Sequence, residues 1–442
     1  MKRKHSVRFF SALFSGALFL SACSAPIEKV TKTAEPAETS AAETETKPFE
    51  PVKPETVIPT VPKPFDRSEL DAIPVAKPGM TEEELREICV RYMVLEKQVV
   101  WTPDGNLKYE CSYAGAADAA GMLTVPAGAL YRGMPYTGAA LDLECFLDLY
   151  DEKTGVLNVS KYGFNVGSFV GNTCSTSTFW AWARVSPKVY LKSVSHINAA
   201  NGFTPIGPIR YDLTIDAFRQ GYDTTDIVPQ NGEQTMFECY ALLKPASGLM
   251  TYRSGTTGHV RMAIEKAVVV RNADGTIDGE KSRVKCAEQT SSRKDEDAGE
   301  NGKVQAYCYA GRTYSFHELY KANYIAFEIP EFAGKGTVEK ASVSLEADGE
   351  GFDALQKSTV TSNYCISRVD VAVLDENGEE AYRNFSFGNA YGDRARKMKV
   401  QTLLSRALMN RHLKKGADYT IVFSVRLGNG ETVLLDPIPI TY

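Results

Sequence analysis

Cys174 is the side chain in this sequence best placed to act as a nucleophile. It lies in Gly171-Asn172-Thr173-Cys174-Ser175-Thr176-Ser177-Thr178-Phe179-Trp180-Ala181-Trp182, where a polar stretch gives way to an apolar one. That change predicts a helix beginning at the cysteine, with the thiol on its first turn and an apolar face behind it. A thiol attacks as thiolate, and the unpaired N–H groups and positive dipole end of a helix N-terminus lower its pKa. An imidazole from elsewhere in the chain then shuttles the proton. His259 alone among the histidines follows a glycine and opens an alternation, through Val260, Met262 and Ile264, that reads as a strand. His196, His317 and His412 have no comparable setting and read as structural or surface residues.

A third group must orient the imidazole through its second nitrogen. The next strand ends in Ala287-Glu288-Gln289-Thr290, and neighbours along a strand point to opposite sides, so only one of Glu288 and Gln289 can meet His259. Glu288 shares its side with Val284 and Cys286, which are expected to pack on the cysteine helix, and is preferred. The bland alternative is a core thiol and a satisfied strand histidine, the usual state of an arbitrary Cys and His pair. The run Phe179-Trp180-Ala181-Trp182 reads as helix packing rather than a ligand platform.

The elements needed to hold these residues are legible in outline. Thr81-Glu82-Glu83-Glu84 is a capping box before apolar positions at helical spacing. Turn-prone sequence covers 115–138, and helices are expected over 141–150 and from Cys174. Strands are expected over 248–252, 259–270, 284–290 and 324–329, with a turn at Asn272-Ala273-Asp274-Gly275. The charged run 293–303 reads as a solvated loop. This pattern is an α+β domain over residues 78–332. Past the Gly-containing segment 332–337 strands dominate: 338–347, 369–374, 419–427 and 432–435, with a more helical stretch at 403–412. This predicts an all-β sandwich over 337–442. Leu413-Lys414-Lys415-Gly416-Ala417-Asp418-Tyr419 resembles the tyrosine corner of immunoglobulin-like modules.

The N-terminus carries an address. A basic stretch with Lys2, Arg3, Lys4 and Arg8 precedes an apolar run over 9–20, which is too short for a permanent membrane span and reads as a signal peptide over residues 1–22. Its end, Leu20-Ser21-Ala22-Cys23, resembles the lipobox of bacterial lipoproteins, in which the cysteine, here Cys23, is acylated and anchors the chain in the membrane. Residues 23–77, rich in Pro, Thr, Glu and Ala, are expected to be a disordered tether. Without the signal peptide the net charge moves from −5 to about −9, which argues against nucleic-acid binding. The remaining cysteines follow no zinc spacing, so no metal is implied, and they read as small core residues with no disulfide assigned.

With the cysteine, the Gly258-His259-Val260 strand and the polar residue in this order, the sequence resembles the NlpC-type bacterial cell-wall cysteine peptidases and their YiiX-like relatives. Tyr131-Arg132-Gly133-Met134-Pro135-Tyr136 is similar to their G-x-P-Y segment, and the match spans 131–290. The resemblance implies a papain-like fold with Cys174 as nucleophile, His259 as base and then acid, and Glu288 as orienting group. It implies Tyr136 as a pocket residue near the oxyanion, Ser175 beside the nucleophile, and Gln289 as the other candidate at the third position. Thr173 and Thr176 depart from the family pattern, which has Asp and Gly there. The expected function is hydrolysis of amide bonds in peptidoglycan stem peptides by a lipid-anchored surface enzyme that needs no cofactor. A non-catalytic wall-binding or adhesion lipoprotein, or an amidase or transferase on other amides, are the alternatives.

Overall fold

The computed structural model describes residues 60–110, 122–160, 170–189, 194, 197–210, 223–253, 257–347, 349–388 and 392–442. The signal peptide, Cys23 and His196 lie outside the described residues. The described chain belongs to one unit, Thr56–Tyr442, with mixed α and β structure.

Helix α1 (Ser68–Asp71) is followed by α2 (Glu82–Glu96), whose capping box is closed by Thr81 and Glu84 as the sequence predicts. Next come β1 (Val100–Pro103), β2 (Leu107–Glu110), β3 (Met122–Val125), β4 (Tyr131–Arg132), α3 (Leu143–Leu147), β5 (Val156–Leu157) and α4 (Cys174–Ala183). The chain continues through β6 (Thr204–Pro205), α5 (Thr224–Asn231), α6 (Glu233–Ala241), β7 (Gly248–Arg253) and β8 (Thr257–Ala263). Then follow β9 (Arg283–Asp297), β10 (Lys303–Ser315), α7 (Phe316–Lys321) and β11 (Ile325–Glu328). Apart from the β2–β3 ribbon, these strands form one sheet in the order β5-β1-β4-β10-β9-β8-β7-β11-β6.

The sheet has a core on each side. One cluster packs α2, α3 and α4 against Val260, Met262 and Ala287, and the other packs α6 and α7 against Val284, Cys286 and Ala263. Helix α4 is buried along its whole length. The indole N–H groups of Trp180 and Trp182 donate to the Ala140 and Ala246 carbonyls, each at 2.9 Å. Those two alanines adopt positive φ, 56° and 65°, a costly conformation outside glycine that the buried indoles help to hold in place. The aromatic run is packing, as expected.

Three expectations are corrected. The segment 293–303 is not a loop: β9 runs to Asp297 and β10 begins at Lys303, paired with it. Pairing with β10 satisfies the backbone groups on one edge of this stretch, and within it Glu296 pairs with Lys294 and with Arg132 of β4. Strand β8 stops at Ala263 rather than reaching residue 270. The expected tether over 23–77 does not reach residue 77, because Val61, Phe65, Leu70, Ile73 and Ala76 are buried, and its part before residue 60 lies outside the described residues. The Phe65 N–H donates to Tyr150 Oη at 2.8 Å. A few well-spaced apolar side chains are enough to dock this stretch although its average composition is polar.

The C-terminal part contains β12 (Val343–Glu346), α8 (Gly351–Lys357), β13 (Thr359–Ser362), β14 (Ile366–Leu374), β15 (Glu380–Phe387) and β16 (Lys397–Lys399). It ends with α9 (Arg406–His412), β17 (Asp418–Leu427), β18 (Thr432–Leu434) and β19 (Ile438–Thr441). One sheet runs β12-β13-β16 and the other β15-β14-β17-β18, with β19 paired to β17. Both contribute to one core that includes Val360, Met398, Val371 and Phe423. Tyr419 Oη accepts from the Lys414 N–H at 2.8 Å, the corner bond that its sequence setting suggests.

Candidate functional site

Cys174 is the first residue of α4. Thr173 is the N-cap, and Thr173 and Thr176 exchange side-chain and backbone hydrogen bonds in a capping box. The Thr173 N–H donates to Thr176 Oγ1 at 2.8 Å, so the threonine at the position where the resemblance expects glycine fastens the turn that carries the thiol. Such a cap stabilises a helix by about 1 kcal/mol. Just before it, Gly171 has a φ of 100°, and a Cβ there would lie 2.3 Å from the Pro135 carbonyl oxygen. That close approach lays the Pro135–Tyr136 segment along the helix start, where Tyr136 and Asn172 form a parallel bridge. Tyr136 Oη then stands 3.7 Å from Cys174 Sγ.

His259 reaches the thiol because two strands separate. β8 and β9 pair at Met262–Ala287 and Ala263–Cys286, and the ladder stops before His259. On its other side His259 remains paired with Thr251 of β7. The N-terminus of α4 fills the opening: Cys174 Sγ lies 4.0 Å from the Gly258 carbonyl oxygen, and the Val260 N–H faces the sulfur. Gly258 is required by closeness, since a Cβ there would come within 2.9 Å of Val194 Cβ.

Behind the imidazole, Nε2 bonds Glu288 Oε2, which leaves Nδ1 for the thiol. Glu288 also accepts from Arg261 Nε at 2.7 Å and from Tyr314 Oη. The Arg261 guanidinium lies between two rings, 3.8 Å from the centre of Tyr314 and 4.4 Å from that of Tyr324. A carboxylate with only 2% of its side chain exposed is thus fully occupied, and it fixes one orientation of the imidazole.

The charges follow from this geometry. Burial opposes ionisation of Cys174, but the charge and hydrogen bond of His259, the Tyr136 hydroxyl and the Val260 amide outweigh it and lower the thiol pKa. Burial likewise opposes a charged His259, yet the Cys174 sulfur and Glu288 raise its pKa to about 9. Burial disfavours ionised Glu288, but His259, Arg261 and Tyr314 hold it at about 2. A thiolate–imidazolium pair is the form this arrangement favours near neutral pH. The other described cysteines are free and buried. Burial is also the leading cause of the raised pKa of Cys89, Cys286 and Cys365.

The structure therefore brings Cys174, His259, Glu288 and Tyr136 together. Ser175, expected beside the nucleophile, is buried, and its Oγ pairs with Thr173 Oγ1 at 3.2 Å within the cap. Gln289 is fully buried and turned away from His259, donating to the Met134 carbonyl oxygen at 2.6 Å. The sequence preference for Glu288 rests on Val284 and Cys286 facing the cysteine helix; instead they face α6 and α7, and Ala287 takes the helix side. The pairing with His259 arises because His259 itself points to the Glu288 side. Sequence reasoning missed Arg261, although its place two residues after His259 on the same strand face marked it as a neighbour. Nothing in the local sequence marked Tyr314 or Tyr324, which come from later elements. Among the described residues no group of three His, Cys, Asp or Glu side chains converges as a metal site, and no helix is long and apolar enough to cross a membrane.

Compared with known proteins, the chain matches no family model and no curated protein.

Proposed function

We propose that this chain is a cysteine hydrolase of the papain-like, NlpC-like kind that cleaves amide bonds in peptidoglycan stem peptides. One observation carries the proposal: the thiol at the start of α4 has a lowered pKa and pairs with an imidazole whose far nitrogen is bonded to a buried carboxylate. In this reading the Cys174 thiolate attacks the substrate carbonyl, and the Tyr136 hydroxyl and Cys174 N–H stabilise the oxyanion. The imidazolium gives its Nδ1 proton to the leaving amine, and the free imidazole then takes a proton from the water that releases the acyl group. Glu288 stays ionised throughout and holds Nε2–H. The substrate class is proposed from the lipobox-like Leu20-Ser21-Ala22-Cys23, which would place the enzyme at the outer face of a bacterial membrane, anchored through acylated Cys23. The C-terminal sheets are read as an immunoglobulin-like sandwich.

Because nucleophile and base act as one unit, Cys174→Ala and His259→Ala should each abolish release of new amine termini from purified peptidoglycan, and the double variant should cost little more. A wild-type protein that releases nothing from walls of several peptide types would sink the substrate assignment. A Cys174 that also resists alkylation in the folded state would leave the binding-protein reading in its place.

A further inference from the structure

Lys97, the residue that ends α2, is completely buried, and its ammonium is surrounded by oxygen. Its Nζ lies 2.6 Å from Glu96 Oε1, 2.5 Å from Ser177 Oγ and 3.2 Å from Gln289 Oε1, so each of its three donors has an acceptor. Both partners extend the network. Glu96 Oε1 accepts from Asn172 Nδ2 at 2.9 Å, and Gln289 Nε2 donates to the Met134 carbonyl oxygen at 2.6 Å. The Asn172 backbone closes the circuit: its N–H donates to Pro135 O at 3.0 Å, and its carbonyl accepts from the Thr137 N–H at 3.1 Å.

This one node therefore ties together the three segments that bear site residues. The 134–137 stretch carries Tyr136, the 172–177 stretch carries Cys174, and residues 288–289 carry Glu288. The network is an expensive way to stabilise a fold. Apolar residues of the same volume often serve a buried ion pair's place equally well. Glu96 Oε2 and Asn172 Oδ1, moreover, are buried without a hydrogen-bond partner among the described residues. Its geometry has a more specific consequence, since losing the node frees Asn172 and Ser177, on either side of the nucleophile, to shift against β9.

We infer that Lys97 is a positioning residue, which with Glu96 sets the placement of Cys174 relative to His259–Glu288 and so maintains the activated thiol. The inference rests on the reading of Cys174 as a nucleophile but asks nothing about the substrate. The test is the rate of Cys174 alkylation by iodoacetamide across pH, read as the Cys174 adduct by peptide mass spectrometry on the full-length protein, with a cooperative melt confirming the fold. In the Glu96→Gln/Lys97→Met double variant the apparent thiol pKa should rise by a unit or more, with a rate at pH 7 lower by about tenfold or more. Ser177→Ala should shift the profile in the same direction and Ser177→Thr should restore it, and this pair decides the matter if the double variant fails to melt cooperatively. Folded variants that keep the wild-type pH profile would overturn the inference while leaving the catalytic reading intact. A wild-type Cys174 that titrates like an ordinary thiol would instead overturn the reading on which it rests.

Discussion

At Glu288 three donors from His259, Arg261 and Tyr314 meet one buried carboxylate, so its charge organises the site. Glu288→Gln keeps the shape but removes a charge that, with the Cys174 sulfur, holds His259 protonated, and it should lower turnover by about 10²–10⁴-fold. Gln289→Ala removes a donor and an acceptor in the buried Lys97 network and should destabilise by about 1–3 kcal/mol, with a smaller loss of turnover than Glu288→Gln. Kinetics and melts measured on the two variants check this, and the opposite ranking in turnover would move the third role to Gln289. The same carboxylate predicts an acid dependence. Its folded pKa of about 2 lies below its ordinary 4.5, so its stabilising contribution is complete above pH 4.5 and is lost as pH falls towards 2. Denaturant melts between pH 5 and 2 should show that loss for the wild type and a smaller one for Glu288→Gln. His259 works in the other direction: its contribution is complete below 6.5 and disappears as pH rises through about 9.

The site depends on where two strands stop pairing. Were β8 and β9 bonded along their full length, the Gly258 carbonyl and the Val260 N–H would be occupied by β9 and there would be no opening for the thiol. The opening leaves space for a helix start and none for a side chain at residue 258. Gly258→Ala places a methyl against Val194 and should cost about 1–3 kcal/mol by overpacking. It should also slow Cys174 alkylation by displacing the carbonyl beside the sulfur. Adding Val194→Gly removes the Cβ that the new methyl meets, so the double variant should recover most of the lost alkylation rate. A Gly258→Ala protein that melts and alkylates like wild type would show that the strand can shift without penalty.

Across the whole molecule, the C-terminal sheets are fastened to the elements that carry the nucleophile. Arg368 Nη1 and Arg426 Nη2 both bond Asp148 Oδ2 at 2.6 Å, and Cys365 Sγ donates to Val189 O at 3.3 Å. A Cβ at Gly428 would touch Ala183 and Trp180 of α4. Burial opposes ionisation of Asp148, but the two arginines hold its pKa low, and removing them would leave this largely buried charge only Arg67, 3.7 Å away, as a partner. The sequence places a domain boundary at 332–337, yet Phe332 is buried, with the Arg86 guanidinium 4.1 Å from its ring centre. A chain clipped in this segment should elute as one particle, and residues 60–333 expressed alone should melt at lower temperature than the full-length protein. Two clipped pieces that separate and each keep the intact melting temperature would contradict this docking.

Local patterns in the sequence determined what local physics controls. A polar-to-apolar switch starts α4 at Cys174, Thr81 and Glu84 cap α2, and alternation around His259 makes a strand. The tyrosine of the 413–419 corner bonds back as its spacing suggests. Tertiary structure alone decided which side of β9 faces α4, because parity sorts side chains into two sets without saying which set meets which layer. It also decided that the charged 293–303 stretch pairs as strands, since cross-strand partners satisfy its backbone whatever its side chains are. The clearest case is Lys97. As sequence it is an ordinary residue at the end of a helix, and its burial among Glu96, Ser177 and Gln289 exists only because segments up to 192 residues apart close around it.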